Sequence, residues 1–134
     1  MNPVVHFEMP YDDAQRIVRF YQSVFGWKLQ MLGADMGNYV LAATAEQDAM
    51  PEGKSFRGVI NGGFFPRQVD MPGQHPSVVI AVPDIQAAMK AVNKAGGRVL
   101  GTPMEIPGVG QYVAFYDTER NRVSMLQPLP MRAG

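Results

Sequence analysis

Val4-Val5-His6-Phe7-Glu8-Met9, followed by Pro10-Tyr11-Asp12-Asp13 and a helical pattern ending at Phe25-Gly26-Trp27, is the stretch that decides the fold. Its plan recurs 71 residues later, the distance from Asp13 to Asp84. The second copy reads Ser77-Val78-Val79-Ile80-Ala81-Val82, then Pro83-Asp84, then a helical pattern ending at Ala95-Gly96-Gly97. Each copy predicts a strand, an acidic helix cap, a helix and a glycine stop. Two copies are too few for a solenoid and indicate two similar halves.

The segments after each helix complete the same order in both halves. Apolar runs predict strands, and proline-rich and glycine-rich segments predict loops. The predicted strands are residues 4–9, 27–32, 38–44, 56–65, 77–82, a sixth beginning at 98–100, 111–116 and 121–127. The predicted loops are residues 45–55 and 103–110, with a linker at 66–76. The order is strand, helix and three strands, twice over, which is an α+β fold of two βαβββ modules.

The two modules, about residues 4–65 and 77–128, predict one domain over residues 1–134. We expect curved mixed sheets around a cleft, with a helix on the outer face of each. Strand alternation turns Val5, Phe7 and Met9 toward the first helix, and His6 and Glu8 away from it. Helical spacing predicts two buried stripes. They are Ala14, Ile17, Val18, Tyr21, Val24 and Phe25, and Ile85, Ala88, Met89, Val92 and Ala95.

Composition narrows the class of protein. Hydrophobic residues make up 46% of the chain and charged residues 18%, with a net charge of zero. Zero net charge argues against nucleic-acid partners and against a polybasic membrane anchor. With no cysteine, the chain has neither a disulfide nor a thiolate metal site. Apolar runs are too short for a membrane span, and Met1-Asn2-Pro3 does not resemble a signal peptide. We therefore expect a cytoplasmic protein.

The repeated plan resembles the vicinal oxygen chelate superfamily, the group of glyoxalase I, bleomycin resistance proteins and extradiol dioxygenases. In the first half, the resemblance rests on His6 seven positions before Asp13, and on Phe20-Tyr21 and Phe25-Gly26-Trp27-Lys28. In the second half, it rests on Val82-Pro83-Asp84, Ala95-Gly96-Gly97 and the closing Asp117-x-x-x-Asn121-Arg122-Val123-Ser124. It implies the paired βαβββ fold, but the superfamily includes both enzymes and non-catalytic binders, and fold alone does not assign function.

The resemblance also implies four inward metal ligands, typically two histidines and two glutamates. Carried over one by one, they fall on His6, on Ser77, on Ser124 and on a fourth strand that contains no Asp, Glu or His. His75 is near Ser77 but would need a shift of two residues across Pro76. One histidine and two hydroxyls are a poor donor set for Zn, Ni, Fe or Mn. We therefore predict no metal and no other cofactor.

His6 and Glu8 are the candidate catalytic residues. His6 is either a ligand-contacting or acid-base histidine, or a remnant of a metal site that is hydrogen-bonded in place. Glu8 is either a general base beside His6, or a solvated or paired carboxylate.

The remaining candidate ligand-binding residues are Tyr39, Asn61, Gly63, Ser77, Tyr112 and Ser124. The sequence Asn61-Gly62-Gly63 indicates either close approach by a ligand or a bulge that packs in a dimer. Tyr39, Tyr112 and Phe64 are either an aromatic pocket wall or core residues.

Two hypotheses about function follow. The first is a metal-free, glyoxalase/bleomycin-resistance-like protein that binds a small organic molecule in a sheet-lined cleft. The alternative is a lyase, isomerase or dioxygenase of the superfamily that uses His6 and Glu8, with or without a metal held in a non-standard way. We also predict a homodimer, because the resemblance implies paired halves and uncovered apolar sheet faces are unusual on a monomer.

Overall fold

The computed structural model describes residues 1–45 and 59–130, and it has two helices and eight strands in that part of the chain. The first half contains β1 (Val4–Tyr11), α1 (Ala14–Phe25), β2 (Lys28–Met31), a 3₁₀ helix (Ala34–Met36), β3 (Val40–Ala43) and β4 (Gly62–Pro66). The second half contains β5 (Ser77–Ala81), α2 (Ile85–Lys94), β6 (Arg98–Ile106), β7 (Gly110–Tyr116) and β8 (Arg122–Pro128). The α+β class and the twofold βαβββ order are confirmed.

Both helices begin and end as the sequence predicts. The Asp13 carboxylate accepts a hydrogen bond from the Arg16 amide at 3.0 Å, and Asp84 does the same for Ala87 at 3.1 Å. Such caps satisfy amides that have no partner within the helix. Gly26 has a φ of 70° after α1 and Gly96 has 99° after α2, conformations that glycine adopts without steric cost.

The chain forms two compact units, residues 6–76 and residues 1–5 with those from 77 onwards. The sheet of the first unit has the strand order β2-β3-β4-β1, and that of the second has β5-β8-β7-β6. β1 pairs in parallel with β4, and β5 with β8, whereas the other pairs are antiparallel. Each sheet is therefore mixed, as predicted. The cleft stays a prediction, and so does the single domain.

Each helix packs its apolar face on its own sheet. In the first unit, Val40, Ala42 and Phe64 are the buried centre, and residues of β1 and α1 pack against them. In the second unit, Val82, Ile85, Val113 and Met125 are the centre, with Ala88, Met89 and Val92 of α2 against them. The described residues contain no helix that is both long and apolar enough to cross a membrane.

Four residues expected in the core lie at the surface instead. Val24 and Phe25 are 56% and 60% exposed in the last turn of α1, after Tyr21, the last α1 residue that packs against the core. Ala95 is exposed because it caps the end of α2 rather than packing beneath it. Val5 is 42% exposed and does not join the core that holds Phe7 and Met9. The helix-facing stripe of α1 therefore stops at Tyr21.

Two predicted strands differ most from the observed ones. β4 begins at Gly62, because residues 59–61 form no strand; the earlier part of the prediction, residues 56–58, lies outside the described residues. β6 continues to Ile106, through the predicted loop, with an irregularity between Leu100 and Met104. Pro103 is compatible with this strand because β6 lies at the sheet edge, where one side of the backbone needs no partner.

Candidate functional site

Among the described residues, α1 covers one face of the first unit's sheet, and the other face carries no α-helix. Phe7 and Met9 of β1 join the core under α1, so alternation directs His6 and Glu8 to the helix-free face. This part of the sequence prediction is confirmed. Glu8 pairs in register with Gly63 of β4, which in turn pairs with Leu41 of β3. Gly63 is thus at the centre of the helix-free face.

Tyr39 holds the His6 imidazole in place. The Tyr39 hydroxyl and Nε2 of His6 are 2.8 Å apart, and the two rings are stacked with their centroids 6.3 Å apart. Half-burial of His6 lowers the pKa of its imidazole below the ordinary value, because desolvation disfavours the charged form. The lowered pKa favours the neutral imidazole, whose Nε2 is a hydrogen-bond donor or acceptor according to its tautomer.

The glycine pair of β4 makes room for aromatic rings of this chain. A Cβ at Gly63 would overlap the Tyr39 ring, and a Cβ at Gly62 would overlap the Phe7 ring and the Phe7 carbonyl oxygen. Both glycines are buried. The groups that come close to these glycines are aromatic side chains of this chain, so close approach by a ligand and packing in a dimer both stay predictions. Glycine at 63 is what allows the Tyr39 ring to pass over β4 to His6.

A pocket of about 420 Å³ lies beside His6. Its lining combines apolar and polar residues from four strands and the segment before β4: His6, Lys28, Leu29, Gln30, Leu41, Ala42, Ala43, Asn61 and Gly62. Apolar walls with a few convergent polar groups are typical of small-molecule sites, and the volume is within their usual range. The predicted residues His6 and Asn61 therefore line one pocket.

Asn61 also has a structural role at the pocket rim. Its side-chain oxygen accepts a hydrogen bond from the Thr44 amide at 2.8 Å, and the Thr44 hydroxyl donates to the Ile60 carbonyl at 2.9 Å. These bonds join the end of β3 to the start of β4. The Asn61 amide group remains exposed at the pocket and is available to a ligand through its nitrogen.

The second unit brings together two further predicted residues. The Tyr112 and Ser124 hydroxyl oxygens are 2.5 Å apart, and Ser124 is 4% exposed. Ser77 is half-buried at the start of β5, on the same helix-free face as Ser124, because Val79 pairs with Ser124 in register. Phe64, predicted as a possible wall residue with Tyr39 and Tyr112, is instead fully buried in the core.

The donor set for a metal does not fit either unit. In residues 1–45 and 59–130, no three His, Asp or Glu side chains come together. Gly63 and Ser124 are at the same register in their respective halves, opposite Glu8 and Val79, which are 71 residues apart. The fourth-strand position implied by the family is thus a glycine, with no donor atom. His75 is exposed in the linker before β5.

Sequence reasoning missed six residues of the pocket lining: Lys28, Leu29, Gln30, Leu41, Ala42 and Ala43. Lys28, Gln30 and Leu41 alternate with Leu29 and Ala42, which also pack in the core, so the period of two along β2 and β3 carried a signal for these three residues. The hydrogen bond between Tyr39 and His6 had no such signal in the sequence. It joins residues 33 positions apart, from the residue before β3, across β4, to β1.

The fold and this site define a class of proteins built from paired βαβββ modules, with their functional residues on helix-free sheet faces. The family model of the Glyoxalase/Bleomycin resistance protein/Dioxygenase superfamily matches residues 4–125, and the chain belongs to this superfamily. The resemblance inferred from the sequence is therefore confirmed.

Relatives and solved structures agree with this membership. A glyoxylase-like domain-containing protein of Didymella fabae is 31% identical over 117 residues, which is 85% of this chain and 84% of that protein. Anthracycline biosynthesis protein DnrV of Streptomyces peucetius is 26% identical over 126 residues, and the match spans 83% of this chain but 42% of that protein. Methylmalonyl-CoA epimerase from Mycobacterium tuberculosis has a TM-score of 0.66 at 15% identity, with 95% and 88% of the two chains covered. At that identity the likeness shows the fold alone.

Proposed function

We propose that this protein binds a small organic molecule in the pocket beside His6, without the metal that the family site implies. The observation that carries the proposal is the hydrogen bond between Nε2 of His6 and the Tyr39 hydroxyl, at the edge of a pocket of about 420 Å³. Tyr39 holds the imidazole at a fixed place, which preorganises it to contact a ligand.

The lining favours a ligand with an apolar body and a few polar groups. Leu29, Leu41 and the neighbouring alanines supply apolar area, and Gln30 and Asn61 supply amide groups. A neutral imidazole can exchange hydrogen bonds with a hydroxyl, carbonyl or amine without the cost of desolvating a charge.

The metal-free part of the proposal rests on donor chemistry. The family places metal ligands at four positions. One of them is His6, which supplies an imidazole, whereas the side chains at Gly63, Ser77 and Ser124 supply neither a nitrogen nor a carboxylate. Transition metals in proteins take three or four such donors. The Ser124 hydroxyl is also engaged with Tyr112.

The second candidate function is enzymatic: a lyase, isomerase or dioxygenase that uses His6 and Glu8. The observation that favours it is a neutral imidazole of lowered pKa on the same sheet face as a carboxylate. A neutral imidazole accepts protons near pH 7, as acid-base chemistry on a substrate carbon requires. Methylmalonyl-CoA epimerase, which shares the fold, is named for such an activity.

The proposed partners are the small molecule and a second copy of the chain, with neither nucleic acid nor membrane, and the proposed location is the cytoplasm. Phe20, Val24 and Phe25 are 52%, 56% and 60% exposed along one end of α1, which gives the chain apolar surface suited to association. Light scattering at micromolar concentration tests the dimer. A mass near the single-chain 14.7 kDa would contradict it.

A thermal-shift screen of small organic molecules, run with and without added Zn²⁺, tests the proposed function. A molecule that binds the folded state raises the midpoint, and at 100 times its Kd it stabilises by about 2.7 kcal/mol. We expect metal-independent hits that stabilise the wild type and His75→Ala but not His6→Ala. His75→Ala is the matched control, because it removes the other of the two histidines, at an exposed position outside the pocket. Hits that depend on Zn²⁺, or that survive His6→Ala, would overturn the proposal.

Incubation of each hit with the protein in deuterated water separates the two functions. A binder returns the molecule unchanged. An acid-base enzyme exchanges a carbon-bound proton for deuterium, and the exchange stops in His6→Ala.

A further inference from the structure

The helix-free face of the second unit has a different charge character from that of the first. Phe115 and Val99 join the core under α2, so alternation turns Tyr116 and Arg98 to the helix-free face. Arg122 is on that face as well, two positions before Ser124 on β8. Tyr116 pairs in register with Arg98 on one side and with Arg122 on the other. Two guanidinium groups therefore flank one tyrosine.

The contacts of this row agree with the register. The Arg98 guanidinium carbon is 5.7 Å from the centroid of the Tyr116 ring, which holds that side chain over the face. Arg122 is half-buried. Ser77 is level with Arg122, because β5 and β8 run in parallel and Val79 pairs with Ser124. A hydroxyl donor is thus next to the half-buried guanidinium.

Carboxylates are absent from this face over the described part of the second unit. The strand residues other than glycine that the register places on this face, from β5 to β8, are Ser77, Val79, Ala81, Arg98, Leu100, Met104, Ile106, Tyr112, Ala114, Tyr116, Arg122, Ser124, Leu126 and Pro128. Glu105 alternates to the other face, since its neighbour Met104 is opposite Tyr112.

The nearby Asp117 carboxylate does not neutralise the arginines. It accepts hydrogen bonds from the Glu119 amide, the Asn121 amide and the Asn121 side chain at 2.8, 2.8 and 2.9 Å. These bonds lower the pKa of Asp117 and commit it to the turn between β7 and β8. In residues 1–45 and 59–130, neither Arg98 nor Arg122 forms an ion pair.

We infer that the row Arg98, Tyr116, Arg122 and Ser77 is an oxyanion-binding site, which takes the carboxylate or phosphate group of a small organic acid. A guanidinium matches the two oxygens of either group with parallel N–H donors, and a hydroxyl adds a further bond. Arg122 is the principal donor because it is half-buried, where charge–charge attraction is less screened than at the surface. This site goes beyond the pocket beside His6 and does not depend on that pocket's ligand.

An amide NMR titration tests the site with three probes: inorganic phosphate, methyl phosphate and malonate, each at constant ionic strength balanced with NaCl. We expect saturable shifts at the amides of Ser77, Tyr116 and Arg122. Arg122→Gln weakens binding about tenfold, and the more exposed Arg98→Gln a few-fold, as loss of a charge-assisted bond implies. Arg19→Gln, which removes an exposed guanidinium on α1, is the matched control and leaves binding unchanged. Preference for phosphates or for malonate identifies the kind of oxyanion.

Shifts that do not saturate, or an equal loss in Arg19→Gln, would reduce the effect to general electrostatics and overturn the inference. Arg122→Lys keeps the charge but loses the paired donors, so binding intermediate between the wild type and Arg122→Gln is expected. Should Arg122→Gln fail to fold, the exposed Arg98→Gln variant still decides the matter. If no oxyanion binds at Arg122 but the thermal-shift screen gives hits that depend on His6, the oxyanion site is overturned and the proposed function is not.

Discussion

Two tyrosines at equivalent positions distinguish the halves of this protein. Tyr39 is two positions before Leu41, which pairs with Gly63, and Tyr112 is two positions before Ala114, which pairs with Ser124. In the first half, the Tyr39 ring passes over Gly63 and its hydroxyl reaches His6. In the second half, the Tyr112 hydroxyl bonds Ser124 itself.

The difference shows how one side chain can redirect a site on a repeated scaffold. Glycine leaves the sheet surface open, so the tyrosine contacts a histidine on the next strand beside a pocket. Ser124, at the same register in the second half, supplies a hydroxyl that forms a hydrogen bond directly with Tyr112. The order of helices and strands is the same in both halves, so the contrast between the two tyrosine contacts comes from a few positions on the helix-free faces.

The largest expected effect is that of Gly62→Ala in the first half. The added Cβ would collide with the backbone carbonyl of Phe7 as well as its ring, and a backbone atom cannot move aside. We expect a loss of about 3 kcal/mol in the free energy of unfolding, at the upper end of typical overpacking costs. Urea denaturation measures it. Gly63→Ala is the comparison variant: it meets the tip of the Tyr39 side chain, which can rotate, so an equal or larger loss there would contradict the account.

Tyr112→Phe tests the second half. Ser124 is 4% exposed, and removal of the tyrosine hydroxyl leaves its own hydroxyl buried without that partner. The expected destabilisation is about 2 kcal/mol, because an unsatisfied buried polar group bears its full desolvation cost. Adding Ser124→Ala should recover part of the loss, as a double-mutant cycle would reveal. Strict additivity would mean that the two hydroxyls do not interact.

Tyr39→Phe is the matched substitution in the first half, with a smaller expected effect. His6 is half-buried, so water can replace the lost hydroxyl, and a cost of about 1 kcal/mol is expected. Denaturation under the same conditions gives the comparison. A loss greater than that of Tyr112→Phe would reverse the proposed contrast between the halves. His6 should also lose its fixed orientation, which broadens its ring resonances in NMR spectra.

The smallest expected effect is the pH dependence due to His6. Burial lowers its pKa in the folded state below that of the unfolded chain. As the pH falls below about 6.5, the unfolded state therefore binds a proton before the folded state does, and folding stability falls. The wild type should lose more stability than His6→Gln on acidification from neutral pH, and the two should be parallel above pH 7. Equal slopes over the whole range would indicate no shift.

Much of the fold could be predicted because the same sequence pattern occurs twice, so each copy supports the interpretation of the other. The Asp13 and Asp84 caps, the glycine stops and the inward positions of His6 and Glu8 follow from periods of 3.6 and 2. The exposure of Val24 and Phe25 could not be predicted, because helical spacing does not show how far along a helix its contact with the core continues.

The site was predicted only in outline. Candidate residues such as His6, Asn61 and Gly63 came from their types and positions, but the ring over Gly63 is a contact between strands remote in sequence. The prediction for β6 was wrong at Pro103, because a proline normally indicates the end of a strand. The sequence does not show that β6 lies at the sheet edge, where a proline is compatible with a strand.

The most direct test of the central claim follows the imidazole nitrogens of His6 by NMR while Zn²⁺ is added to one equivalent. The Tyr39 hydroxyl is 2.8 Å from Nε2 of His6, and we propose that this nitrogen binds no metal. The His6 signals should therefore stay those of a neutral ring, and His75, exposed in the linker, should respond at least as strongly. Saturation of His6 at one equivalent of Zn²⁺, with His75 unchanged, would contradict it.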